Sequence, residues 1–229
     1  MPDAENGSHR GSNPDPHLNP ARTPADIEAE SFRIIDAEVL EPRPFTGLAW
    51  SVVRRMIHTT ADFELLELVR ISPGALEAGV AALMASASIL TDTEMARAGI
   101  PVRRMEPLGC RVRCLMRDDR VGEMARAQGG TRARAAADLA VDEGGADIWV
   151  VGNAPTALVR LLEHAGAGRT APKLVVGMPV GFVNAAESKQ LLMASGLEHV
   201  TIAGRKGGSA LAACVVNALA DAALERTAE

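Results

Sequence analysis

A chain of 229 residues with a net charge of −5 fits one domain around a single sizeable core and lacks the broad cationic face that nucleic-acid binding requires. Hydrophobic residues make up 47% of it, yet no apolar run approaches the ~20 residues of a membrane-spanning helix, so neither nucleic acid nor membrane is an expected partner. Three cysteines, Cys110, Cys114 and Cys214, are too few for a disulfide framework and suit a reducing compartment; with no apolar signal at the N-terminus, the expected location is cytoplasmic.

Residues 1–25 hold five of the 13 prolines and no periodic apolar face, which predicts a disordered tail ahead of one α/β domain over 26–229. Asp26 is placed to cap a helix over 27–40, where Ile27, Phe32, Ile35 and Val39 give a partial apolar stripe. A second helix is predicted from Gly47 to His58. Beyond it, short apolar runs alternate with alanine-rich stretches. The runs are Ser88 to Thr91, Cys110 to Leu115, Ile148 to Gly152, Leu174 to Gly177 and Val200 to Ala203; the helical stretches are 74–86, 131–143, 155–165, 184–195 and 208–226. Uninterrupted runs such as DIWVVG and KLVVG suit strands buried on both faces. The expectation is a three-layer α/β/α sandwich with a mostly parallel sheet.

Ligands of such folds bind at the carboxyl ends of the strands, beside the amides that open the following helices. Three glycine-rich loops follow the predicted strands: Gly152 to Thr156, Gly177 to Gly181, and Gly204 to Ser209. They either only turn the chain or together line a crevice in which Gly177, Gly181, Gly207 and Gly208 let a ligand approach the backbone. Arginines cluster at Arg54-Arg55, Arg103-Arg104, Arg132 with Arg134, and Arg205-Lys206, the candidate contacts for anionic groups. His58 ends the second predicted helix, where it either caps the last carbonyls or serves as a proton donor, since imidazole titrates nearest neutrality and that helix end favours its cation. His164 and His199 have weaker claims, and His9 and His17 belong to the tail. Asp92 reads as the N-cap of a helix. Cys110 and Cys114 lack a second ligand pair, GRKGGS lacks the phosphate-loop spacing, and no G-x-G-x-x-G, G-x-S-x-G or H-E-x-x-H is present, so neither a metal nor a nucleotide cofactor is expected.

Ser31-Phe32 followed by Ile34-Ile35, then RRMIHTT, SPGALEAG, ILTDTEM, Thr131-Arg132, VVGNAPTAL, GMPVGFVNAAESK and GRKGGSALAA follow one another in a set order. Over about residues 28–220 the chain thereby resembles the precorrin-8X methylmutase family of cobalamin biosynthesis. The resemblance implies a homodimeric α/β/α isomerase that shifts a methyl group from carbon 11 to carbon 12 of precorrin-8X to give hydrogenobyrinate, a polycarboxylate corrinoid; some relatives act on the cobalt-bearing ring. The family's catalytic histidine matches His58, its substrate-contacting serine and arginine match Ser31 and Arg55, and a further arginine matches Arg132, beside Thr131. With these, Gly177, Gly181, Arg205, Gly207, Gly208 and Ser209 form the expected substrate contacts. Ser88 and Thr91 stand where the commoner pattern has Pro and Cys, which leaves the metal status of the substrate open.

The chemistry agrees. A sigmatropic methyl shift over a conjugated ring needs a proton rather than a nucleophile, metal or redox group, and a positioned acid contributes about 10²–10⁴-fold. With no Tyr, two Trp and four Phe, a flat ring would lie on aliphatic side chains and glycine backbone. A corrinoid carrier without catalysis would need the arginines and loops but not the histidine; a nucleotide-binding α/β protein would need the missing phosphate loop.

Overall fold

The computed structural model describes residues 23–228, so the expected tail lies almost wholly outside the described residues. The chain runs through α1 (Pro24–Glu38), α2 (Gly47–Thr60), α3 (Leu65–Leu68), β1 (Val69–Ile71), α4 (Ala75–Met84), β2 (Ser88–Thr91), α5 (Glu94–Gly99) and α6 (Val102–Met105). A 3₁₀ turn, Glu106–Leu108, then leads to β3 (Arg111–Cys114), α7 (Asp119–Gln128), α8 (Arg132–Asp142), β4 (Ile148–Val151), α9 (Pro155–Gly166), β5 (Leu174–Gly177), α10 (Ala185–Ala194), β6 (His199–Ile202) and α11 (Ser209–Ala228). None of these helices is long and apolar enough to cross a membrane.

The strands form one sheet in the order β1-β6-β5-β4-β2-β3, parallel throughout except for β1, which pairs antiparallel with β6. Every residue of β4, β5 and β6 is buried, and alternate side chains enter different cores. Ile89, Ile148, Val150, Leu174, Val176 and Val200 face α2, α4, α5 and α11. Leu90, Trp149, Val151 and Val175 face Leu158 and Leu161 of α9 and Leu192 of α10. The three-layer expectation therefore holds. Each fully buried aliphatic side chain of this kind contributes about 1.5–3 kcal/mol.

Sequence periodicity misses α3, β1, α6 and the 3₁₀ turn, which have four residues or fewer, and α7, which is largely polar, with only Val121 and Ala125 buried. Two caps also differ from expectation. Thr23, not Asp26, is the N-cap of α1: it accepts from the Asp26 N–H, and Asp26 closes the capping box from the third helical position. Thr93, not Asp92, caps α5 by accepting from the Ala96 N–H at 3.1 Å.

Asp92 is freed for another task. The strand order reverses between β2 and β4, the place where open α/β sheets leave a crevice. Asp92 follows β2 directly, and its carboxylate accepts the N–H groups of Gly152 (2.9 Å), Asn153 (2.8 Å) and Ala154 (2.7 Å) just after β4. The protein thus supplies its own anion to the amides ahead of α9. Burial pushes the Asp92 carboxyl above its ordinary range, against the pull of those three donors.

Candidate active site

Helix α2 carries the candidate acid. Its buried stripe, Trp50, Val52, Val53, Met56 and Ile57, packs on the core, and the helix stops at Ala61, which takes a left-handed conformation and donates to Ile57 O at 2.7 Å. His58 is the one basic residue in the last turn. Its ring meets the edge of Phe32 from α1 at 5.4 Å and 71°. It opens into a cavity of about 410 Å³ whose walls include Ser31, Ile34 and Ile35 of α1, with Ala61 and Phe63 beyond the end of α2. Glu38 is the carboxylate on this wall.

Of the three histidines among the described residues, His58 alone makes no hydrogen bond. His164 is 2% exposed, with Nε2 at 2.7 Å from Asp138 Oδ1 and Nδ1 at 3.1 Å from Arg169. His199 is buried, and its Nδ1 lies 2.8 Å from Leu197 O. The His58 imidazole, half-buried at the wall of a cavity lined largely by apolar side chains, leaves both ring nitrogens open to a group that enters.

Ser31 lines the same cavity, and its hydroxyl donates to Ile27 O at 2.7 Å, leaving its oxygen able to accept. Arg55 faces elsewhere. Its guanidinium donates to Glu28 and to Asp221, each at 2.8 Å, and Asp221 also receives Arg104 at 2.6 Å. It borders a separate cavity of about 290 Å³ with Arg54 and Glu225, while lying 5.5 Å over the same Phe32 ring. Two carboxylates of the protein already offset its charge. No residue pattern announces Glu28 and Asp221 as its partners, because they lie 27 and 166 positions away.

The loop candidates gather at the carboxyl ends of β5 and β6. Gly181 donates to Arg205 O at 3.2 Å and Gly208 donates to Met178 O at 2.9 Å, so the two loops are joined through the main chain. Gly207 lies flush on that neighbour: a Cβ there would come within 2.2 Å of Met178 O. A Cβ on Gly177 would meet Leu192 at 2.4 Å, and one on Gly152 would meet the Ser209 Cα at 2.6 Å. The Ser209 hydroxyl is buried against Thr93 Oγ1 at 2.8 Å, whereas Arg205 is exposed and lies 5.4 Å over Phe182. Lys206 ties this loop to the end of α2, donating to Asp62 at 2.6 Å and to Glu64, and its hydrogen bond holds the Asp62 carboxyl below its ordinary range.

Thr131 and Arg132 stand apart at the start of α8. Thr131 caps that helix through the Arg134 N–H and meets Thr156 Oγ1 at 2.8 Å; Arg132 is exposed and donates to Met116 O. The expected residues thus fall into four groups: His58 and Ser31 at the α1–α2 cavity, Arg55 at the neighbouring cavity, the joined loops, and the head of α8.

Known proteins match this architecture and sequence closely. The precorrin-8X methylmutase (CbiC) family profile matches residues 26–222. A cobalt-precorrin-8 methylmutase of Salmonella typhimurium is 46% identical over 201 residues, which cover 86% of this chain and 94% of that protein. A precorrin-8X methylmutase of Pseudomonas aeruginosa is 44% identical over 168 residues, 72% of this chain and 80% of that one. The crystal structure of a precorrin-8X methylmutase from Thermus thermophilus superposes with a TM-score of 0.82 at 46% identity, covering 88% of this chain and 97% of that chain. The chain belongs to the precorrin-8X methylmutase family.

Proposed function

We propose that this protein is a methylmutase of cobalamin biosynthesis, an isomerase that moves the methyl group of precorrin-8X from ring carbon 11 to ring carbon 12 and yields hydrogenobyrinate. The observation that carries the mechanism is His58, the described histidine without a hydrogen-bond partner, on the wall of the α1–α2 cavity. The imidazolium gives a proton to the macrocycle, electron density leaves the ring, the methyl group migrates, and the conjugated product returns the proton. Atoms and charge balance without a further reactant. Ser31, on the same wall, accepts from or donates to the substrate edge. Arg55, Thr131, Arg132, Gly177, Gly181, Arg205, Gly207, Gly208 and Ser209 are proposed to meet its carboxylates and ring face, the arginines by charge-assisted pairing.

The relatives divide over cobalt, one named for the metal-bearing ring and another for the metal-free ring. Incubating the protein with each substrate separately and following the visible spectrum tests both the reaction and the choice. Turnover of neither would leave a corrinoid carrier as the better reading. We further propose a cytoplasmic homodimer. Its support is family membership, three unpaired cysteines, and four exposed apolar side chains between residues 180 and 191, namely Val180, Phe182, Val183 and Leu191. Sedimentation at the monomer mass across a wide concentration range would overturn the dimer.

A further inference from the structure

Lys189 of α10 is fully buried, at 0% exposure, and its Nζ donates to one group, the main-chain carbonyl of Lys206 at 2.6 Å. No carboxylate among the described residues neutralises it, and burial draws its ammonium down to about 8. Desolvating a cation without a counter-charge is costly. A methionine of similar length would fill the same space without that cost. What Lys189 does engage is the loop between β6 and α11.

The geometry of that loop says what the action is. Glu41–Pro42 is the one cis peptide among the described residues, so the 206–207 peptide is trans and its N–H points opposite to its C=O. With the carbonyl drawn to Lys189, the Gly207 N–H faces away from α10. It has no acceptor among the described residues, and Gly207 is only half-buried. The loop is held from the other side as well, because the Lys206 side chain reaches Asp62 and Glu64, four and six residues beyond His58. The peptide therefore stands at the head of the 20-residue helix α11, whose free amides and dipole favour a negative charge. A cation bonded to its carbonyl further polarises its N–H as a donor.

We propose that Lys189 is a positioning residue for substrate binding: it locks the 206–207 peptide so that the Gly207 N–H receives a carboxylate of the corrinoid. This rests on the methylmutase reading above. Lys189 itself touches no substrate; it sets the direction of a donor that does.

The full-length Lys189→Met protein is the test. Its thermal midpoint should match or exceed that of the wild type, while KM for the corrinoid substrate rises roughly tenfold and kcat changes by less than about twofold, the pattern of lost binding rather than lost chemistry. Amide exchange at Gly207 and Gly208 should quicken in the variant. A lowered midpoint with KM unchanged would make Lys189 a staple of the fold and overturn the proposal. An arm without any variant guards against failure to fold: adding hydrogenobyrinate to the wild type should protect the Gly207 amide from exchange, and an unprotected Gly207 in a protein that binds the product would also overturn it. Wild-type protein that neither turns over nor binds the corrinoids would sink the methylmutase reading and the carboxylate contact with it. Unchanged loop exchange in Lys189→Met would sink the positioning role separately.

Discussion

His58 and His164 sit near the C-terminal ends of their helices, α2 and α9, yet their surroundings are opposite. His164 is enclosed: Arg169 can only donate to its Nδ1, so Nε2 carries the proton offered to Asp138, which Arg160 also grips. His58 stands half-buried with an aromatic edge beside it and no polar partner. The difference teaches where a titratable group is committed to the fold and where it is left open to a ligand. A buried charged network centred on Asp138 Oδ1 fixes one arrangement of α8 against α9, while the imidazole of His58 is left unpartnered at a cavity wall.

The strongest way to break this contrast is to remove His58 and then Asp138, the carboxylate partner of His164. His58→Ala should lower single-turnover conversion of saturating precorrin-8X by about 10²–10⁴-fold while leaving the thermal midpoint almost unmoved. A near-normal rate would return His58 to a capping role. Asp138→Ala should do the reverse, destabilising the fold by about 3–5 kcal/mol, as when one member of a buried charged group is lost, with little change in kcat of the folded fraction. Denaturant titration and active-site-normalised kinetics measure the two effects.

Acid sharpens the comparison. Burial pushes the Asp138 carboxyl up, but hydrogen bonds from Arg160 and His164 outweigh it and hold it below the ordinary range. A carboxylate depressed in the folded state stabilises above its unfolded pKa of about 3.9, and that stability is lost as the pH falls through the folded value. Asp138→Asn should therefore flatten the fall in stability below about pH 4. Asp92 runs the other way, since its carboxyl is raised by burial. Asp92→Ala should cost about 1–3 kcal/mol by leaving backbone N–H groups without an acceptor, and should loosen residues 152–154 by amide exchange.

The smallest expected effect is at Arg55. If its guanidinium also meets a carboxylate on the substrate, Arg55→Ala should weaken binding by about 1.5 kcal/mol, roughly tenfold in KM. A lower thermal midpoint with KM unchanged would assign Arg55 to the Glu28 and Asp221 pairing alone.

How much of this was legible in the sequence follows from the range of each interaction. Strands β4 and β5 announce themselves because both faces are buried and every residue of IWVV and LVVG must be apolar or Gly. β1 does not, having three residues, one of them exposed. His58 and Ser31 are legible as motif residues, and both line one cavity. The task of Asp92 is not, because its three donors lie 60 to 62 residues away and become neighbours only through the strand order. Nor is it legible that Asp92 accepts from one glycine loop and that Lys206 ties another to the end of α2.

The glycines at the strand ends also limit how this surface can change. Where Gly152 lies against Ser209, and Gly207 against Met178, the walls are main chain in contact with main chain. Main chain has no alternative residue to offer, so single substitutions cannot remodel the rim without pushing a neighbouring strand end aside. Shape there is inherited whole, and variation in what the rim accepts is left to the side chains that stand out from it, among them Arg205, Phe182, Val180 and Val183.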